Sequence, residues 1–189
     1  MKRIGTFTSA LFILTMLAGL AINQPTYAGD PPKVAASGTK MSWKNLQTGE
    51  IENGVIGSSS GDKVNWRWEG KIRSGVLLCF YCGGENIEYD EEAQSALWPL
   101  AVGKKVSFER NRERRRYWRN DTEVVAREVL KLEFGDVDTF KVEMKSNSTS
   151  GSWTGKQTAW YAPKIGWTVK FISTDNEGAN HRWEAVSFE

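Results

Sequence analysis

Arginine is concentrated in one stretch of the chain, ERNRERRRYWRN, at residues 109–120. If the strand that begins near Lys105 continues through this stretch, alternate residues share a face. That face would carry Arg110, Arg112, Arg114, Arg116 and the ring of Trp118. Guanidinium groups bind oxyanions through paired hydrogen bonds and stack on aromatic rings. The pattern predicts a surface for an anionic partner, formed by Arg112, Arg114, Arg115, Arg116, Trp118 and, from a separate strand, Tyr161.

A second interpretation gives the arginines a structural role. Acidic residues are interspersed with them, at Glu109, Glu113, Asp121 and Glu123. In a long exposed hairpin these acids would pair with the guanidinium groups, and the charged surface would discourage pairing with the edge of another sheet. Both interpretations stay open at this point. Under the first, the expected partner is an anionic envelope glycan, a lipopolysaccharide headgroup or a protein.

The two cysteines, Cys79 and Cys82, have the Cys-x-x-Cys spacing of redox motifs. They follow the apolar run Val76-Leu77-Leu78 and precede two glycines, which indicates a strand that runs into a turn. A thioredoxin-type site instead begins a helix, whose dipole lowers the pKa of the thiol. The context therefore predicts a structural disulfide or a pair of unreactive thiols. A thiol-disulfide oxidoreductase that uses Cys79 and Cys82 is the alternative.

Acidic side chains are concentrated between residues 85 and 92, at Glu85, Glu88, Asp90, Glu91 and Glu92. Such a run could bind calcium or supply a carboxylate pair for glycoside cleavage. Its spacing matches no calcium loop, and acids at this place favour the start of a short helix. Zinc would need more ligands than the two cysteines and a distant histidine, His181, provide. We therefore predict no metal, no cofactor and no catalytic residue.

Short alternating runs separated by Gly, Asn, Asp and Ser must position these side chains. This pattern predicts an all-β, mainly antiparallel fold. One helix is expected near 90–97, where the composition is helix-forming and Pro99 follows. A curled sheet that is lined by tryptophan can leave a cavity, so a carrier of an apolar ligand is a further alternative.

The stretch TAWYAPKIGWTVKF, residues 158–171, predicts a hairpin with the loop Pro163-Lys164-Ile165-Gly166. This loop would pair Ala162 with Trp167, Trp160 with Val169, and Thr158 with Phe171, and would place all six on an apolar core face. Tyr161 would then be the large aromatic residue of the hairpin that faces outward.

The first 28 residues have the organisation of a secretory signal peptide. Lys2 and Arg3 precede an apolar run at residues 10–22, and small residues lead up to cleavage near Ala28. No later segment is apolar enough to span a membrane. We therefore predict a periplasmic or secreted protein. Residues 29–39 should form a flexible arm, and residues 40–189 a single antiparallel β domain.

The charge balance excludes a dedicated nucleic-acid-binding protein. The first 28 residues contain two of the 25 lysines and arginines and none of the 23 acids, so the rest of the chain has no formal net charge. A protein without a global positive field lacks the electrostatic property on which nucleic-acid binding depends.

Three motifs give the chain a resemblance to known proteins: LWPLAVGKKVSF, FGDVDTFKVE and TAWYAPKIGWTVKF. Their order and content resemble uncharacterised exported bacterial proteins of periplasmic domain-of-unknown-function families. The resemblance covers about residues 97–171. It implies an antiparallel sheet that is curled into a half-barrel and an exported location. Because such families bring no established catalytic residues, the resemblance assigns no site.

Overall fold

The computed structural model describes residues 32–84, 86–113 and 116–189. The predicted signal peptide, the start of the predicted arm, Glu85, Arg114 and Arg115 lie outside the described residues. Within the described ranges, eleven strands form one antiparallel sheet with a single short α-helix beside it, which confirms the predicted fold class.

The elements are β1 (Lys40–Asn45), β2 (Ile51–Ser60), β3 (Lys63–Trp68), β4 (Lys71–Val76), β5 (Ile87–Tyr89), α1 (Glu91–Ser95), β6 (Lys105–Arg112), β7 (Arg116–Leu132), β8 (Gly135–Ser148), β9 (Thr154–Ala162), β10 (Trp167–Asp175) and β11 (Asn180–Phe188). A three-residue 3₁₀ turn at Phe80–Cys82 lies between β4 and β5 in the chain. The spatial order of the strands is β4-β3-β2-β1-β11-β10-β9-β8-β7-β6-β5. The strands therefore form two runs of neighbouring hairpins, and the sheet is open because its edge strands, β4 and β5, do not pair with each other.

Strand β1 joins the two runs at the middle of the sheet. It pairs with β2 on one side and with β11 on the other. At its start, the amide of Lys40 donates to the carbonyl of Glu189 and the amide of Glu189 donates to the carbonyl of Lys40, both at 2.9 Å. The continuity of the sheet therefore depends on one pairing between segments that are far apart in sequence.

One face of the sheet, here called the inner face, carries the core. Directly paired residues share a face, and the pairs Phe171–Ala159, Ala159–Val142 and Val142–Val124 run across four strands. All four side chains are buried. The opposite, outer face is polar and holds exposed or half-exposed ion pairs, such as Lys170 with Glu184 at 2.6 Å. Burial of the apolar alternation on one face therefore fixes the register of the sheet.

The β9–β10 hairpin confirms the predicted loop and corrects the predicted register. Gly166 has a φ of 80°, and Ala162 pairs with Trp167 as expected. A β-bulge at Val169 then shifts the register, so that Trp160 lies opposite Lys170 on the outer face. The predicted outward orientation of Tyr161 is wrong, because the residue pairs with Phe140 on the inner face and is 2 % exposed.

The N-terminal segment that precedes β1 packs against this hairpin loop. The amide of Ala35 donates to the carbonyl of Gly166 at 2.9 Å, and the hydroxyl of Tyr161 donates to the carbonyl of Lys33. Burial raises the pKa of Tyr161 to about 12. The described part of the predicted arm is therefore bound to the sheet by backbone and side-chain hydrogen bonds.

Asp62, in the turn between β2 and β3, is a buried carboxylate beside Gln94 of α1 and Trp98. Burial raises its pKa above 3.8, and hydrogen bonding with its surroundings offsets part of that rise. The folded state therefore holds the proton more tightly than the unfolded chain. The resulting stabilisation is present below pH 3.8 and is lost as the pH rises through the folded-state pKa.

We predict that Asp62→Asn raises the melting temperature at pH 7, and that its advantage over the wild type shrinks toward pH 3.5. Thermal melts of both proteins at the two pH values test this. Asp121→Asn is a matched control with the opposite sign, because the Ser107 hydroxyl lowers the pKa of Asp121. A lower melting temperature for Asp62→Asn at pH 7 would contradict the prediction.

Candidate functional site

An open groove with a volume of about 1410 Å³ runs along the inner face. Its lining includes the rings of Trp43, Trp66, Trp68, Trp167, Phe171 and Trp183. A concave, largely aromatic surface with a few charged groups is the usual form of a ligand site. The groove is the leading candidate site of the described structure for this reason.

Alternation along β3 places the tryptophans in the groove. In the run VNWRW, Val64, Trp66 and Trp68 face inward while Asn65 and Arg67 are exposed. Trp66 lies edge-on to Trp167 at 5.9 Å between ring centroids, and Trp68 lies edge-on to Trp183 at 5.7 Å. We call Trp66, Trp68 and Trp183, which are only partly buried, the tryptophan shelf.

The loop at residues 77–84, here called the cystine loop, forms one wall of the groove. Cys79 and Cys82 form a disulfide with a Cα–Cα distance of 5.3 Å, which is one of the two states that the sequence predicts for them. Both cysteines are buried and no α-helix begins at them, so the arrangement lacks the helix dipole and the exposure of a redox thiolate.

Two contacts fix the cystine loop over the sheet. Gln157 of β9 donates from its side-chain amide to the carbonyl of Leu78 at 3.2 Å, and the hydroxyl of Tyr81 bonds that of Ser173. Gly83 packs so closely on β4 that an added Cβ would lie 2.4 Å from the carbonyl oxygen of Ser74. Only glycine allows this approach.

The arginines approach the groove from the β6–β7 hairpin. Arg112 lies directly opposite Arg116, and Arg110 directly opposite Trp118, so these four share the inner face. The prediction that Arg112, Arg116 and Trp118 share a face is confirmed, although a hairpin brings them together and not one continuous strand. Arg110 and Arg112 line the groove.

The acids of the hairpin do not neutralise these inner-face arginines. Asp121 pairs with Arg119 at 3.3 Å and Glu123 with Lys105 at 3.1 Å, both on the outer face. Arg112 and Arg116 have no ion pair with any described residue. The pairing of acids with basic side chains that the second interpretation expects is therefore seen on the outer face of the hairpin.

Arg110, which the sequence places on the arginine face but outside the predicted binding set, lines the groove. It is 6 % exposed, its guanidinium carbon lies 4.2 Å from the ring centroid of Trp118, and its Nη1 donates to the carbonyl of Tyr81 at 3.3 Å. Burial lowers its pKa to about 10, so it stays charged at neutral pH. Its place two residues after the buried Phe108 was the sequence signal for an inward orientation.

The other predicted residues lie elsewhere. Tyr161 packs on Trp98 at 5.1 Å, and it does not line the groove. In the acidic run, Asp90 caps α1, Glu88 accepts from Asn111 and Glu91 pairs with Lys63. Among the described residues no group of three His, Cys, Asp or Glu side chains could hold a metal ion. No helix in the described ranges is long and apolar enough to cross a membrane.

Comparison with known proteins identifies the fold. No family model matches the sequence, and no curated protein matches it significantly. The structure is similar to that of the hypothetical lipoprotein YmcC from Escherichia coli K12, with a TM-score of 0.51 and 12 % identity over 79 % of this chain and 83 % of that one. The chain shares the fold of YmcC.

Two further solved structures match this chain more weakly. A candidate exported protein with a YmcC-like fold from Bacteroides fragilis has a TM-score of 0.45 and 12 % identity over 84 % of this chain and 99 % of its own. A candidate lipoprotein from Parabacteroides distasonis has a TM-score of 0.44 and 10 % identity over 85 % and 100 % of the two chains. At these identities the likeness concerns the YmcC-like fold alone.

Proposed function

We propose that this protein is an exported, non-catalytic binding protein of the bacterial cell envelope and that it holds an anionic glycan in the inner-face groove. The observation that carries the proposal is the tryptophan shelf, which faces an open groove with arginines at one end. The predicted signal peptide and the hypothetical-lipoprotein status of YmcC support the envelope location.

The shape and lining of the groove favour a glycan over a lipid. The groove is open to solvent, and flat aromatic rings that lie edge-on to each other line it together with aliphatic side chains. Flat rings suit the apolar faces of sugars, and Thr168 adds a polar side chain to the lining. A lipid chain would be better served by an enclosed, aliphatic cavity.

The charges of the groove favour an anion. Its described lining contains four basic side chains, Lys71, Arg73, Arg110 and Arg112, against the acids Glu52 and Glu69. Both acids already accept hydrogen bonds within the protein. The Glu52 carboxylate accepts from the indole of Trp68, and the Glu69 carboxylate accepts from the backbone amide of Asn53 at 2.8 Å. A cleft with an excess of one charge attracts ligands of the opposite charge.

We predict that Trp183→Ala weakens glycan binding at least about tenfold, because it removes a ring from the shelf at the centre of the contact. Isothermal titration with oligogalacturonate, peptidoglycan fragments and lipopolysaccharide measures the effect. Tyr117→Ala is the control, because Tyr117 is 43 % exposed on the outer face of β7 and should leave the affinity unchanged.

Two results would overturn the proposal. Absence of saturable binding by the wild type to every glycan of the panel would remove the assigned ligand class. Binding of lauric acid with the same sensitivity to Trp183→Ala, and without glycan binding, would instead assign the groove to an apolar ligand.

A further inference from the structure

Arg110 is a buried cation that has no counter-charge among the described residues. Arg127 shows the ordinary arrangement in the same sheet, since its Nε and Nη2 donate to the two carboxylate oxygens of Asp138 at 3.0 and 2.6 Å. Arg110 has no carboxylate partner among the described residues, and its Nε lacks any hydrogen-bond partner. A desolvated charge of this kind is costly unless something neutralises it.

Its surroundings hold the guanidinium in one orientation. The ring of Trp118 covers its face at 4.2 Å, the ring centroid of Tyr81 lies 5.4 Å away, and the carbonyl of Tyr81 accepts from Nη1. Arg110 lines the groove at this place, and its Nε is a buried donor without a hydrogen-bond partner among the described residues. An edge of a fixed guanidinium matches a planar acceptor with two oxygens, and a carboxylate has this form.

The neighbouring arginines strengthen the attraction for an anion. Arg112 is two residues along the same face and lies directly opposite Arg116, and both side chains are exposed. Like charges at directly opposite positions of a sheet repel each other. An anion in this part of the groove would relieve that repulsion and supply the acceptor that Arg110 lacks.

We propose that Arg110 is the specificity-determining residue of the groove and that it binds a carboxylate carried on a sugar ring, as in a uronic acid. The proposal rests on the glycan-binding function proposed above. A carboxylate matches one buried cation in both charge and planarity.

The first test uses the wild-type protein and needs no variant. Isothermal titration compares oligogalacturonate with the same oligosaccharide after complete methyl esterification, which keeps the backbone and removes the charge. We expect the acid to bind at least about tenfold more tightly than the ester, equivalent to about 1.4 kcal/mol. A sulfated oligosaccharide of equal charge forms a third arm, and we expect it to bind more weakly than the acid.

The second test compares Arg110→Met with Arg119→Met. Both variants lose one positive charge from the same hairpin, but Arg119 is exposed on the outer face. Arg110→Met should bind acid and ester with nearly equal affinity, whereas Arg119→Met should keep the wild-type ratio. Circular dichroism verifies that each variant is folded.

The outcomes separate the two proposals. Equal binding of acid and ester by the wild type, or an unchanged preference in folded Arg110→Met, would overturn the role of Arg110 and leave the glycan groove in place. If the sulfated oligosaccharide bound more tightly than oligogalacturonate, the assignment of a carboxylate ligand would be wrong. If the wild type bound neither form of oligogalacturonate, and also bound neither peptidoglycan fragments nor lipopolysaccharide, both the glycan-binding function and this inference would be wrong.

Discussion

Replacing Phe171 by alanine is expected to lower the free energy of unfolding by about 3–5 kcal/mol. Phe171 is 7 % exposed on β10, where it pairs with Ala159 on one side and Trp183 on the other. The truncation would leave a gap in the lining of the groove and remove a neighbour of Trp183 in the tryptophan shelf. Urea unfolding followed by tryptophan fluorescence measures the change, and titration with oligogalacturonate should show weakened binding in the folded variant.

Val129→Ala serves as the control for Phe171→Ala. Val129 is 59 % exposed, so its truncation should change the free energy of unfolding by less than about 1 kcal/mol. If Phe171→Ala lowered the free energy of unfolding by less than about 1 kcal/mol, the assignment of Phe171 to the core would be contradicted.

Replacing Gly166 by alanine is the second change for which we expect a large effect. Gly166 has a φ of 80°, and an added Cβ would lie 2.7 Å from the backbone nitrogen of Ala35 and 2.8 Å from the carbonyl carbon of Val34. The substitution therefore adds a backbone clash to a strained conformation. We expect a loss of about 2–4 kcal/mol together with release of the N-terminal segment from the hairpin loop.

Gly178→Ala is a matched control for Gly166→Ala, because Gly178 also has a positive φ, 98°, but an added Cβ there meets nothing within 4 Å. It should cost only the backbone strain, about 1–2 kcal/mol. Melting temperatures and hydrogen exchange at the amide of Ala35 distinguish the two variants. Equal losses in both would show that packing of the N-terminal segment adds nothing to stability.

The features that the sequence predicts correctly depend on local chemistry. Pro163 and Gly166 specify the hairpin loop, and the first pair, Ala162 with Trp167, follows from it. The short helix follows from its acidic start and capping residue, and the disulfide from the spacing of Cys79 and Cys82. Each of these features is formed by residues that are close together in sequence and does not depend on the position of distant strands.

The features that escape the sequence depend on tertiary packing. The bulge at Val169 changes the faces of Trp160 and Tyr161, and no residue type near it marks the extra position. The burial of Arg110 arises only when the cystine loop crosses the inner face and places Tyr81 over the guanidinium. The predicted binding residues and the lining of the candidate groove differ for this reason. Arg112, Arg116 and Trp118 share a face as the sequence suggests, whereas Tyr161 lies outside the groove and Arg110 lines it.

The pairing of β1 with β11 has a consequence for how the chain folds. Most strands pair with their neighbours in sequence and can form as soon as each hairpin is complete, but the central pairing closes a loop that spans nearly the whole folded chain. Closing so long a loop lowers the conformational entropy of the chain before the new contacts can stabilise the pairing, and this makes the step slow. Until β11 is synthesised, the nascent chain contains two partial sheets whose unpaired edges, on β1 and β10, are open to other chains. Protection from aggregation during synthesis is therefore needed most at the centre of the finished sheet.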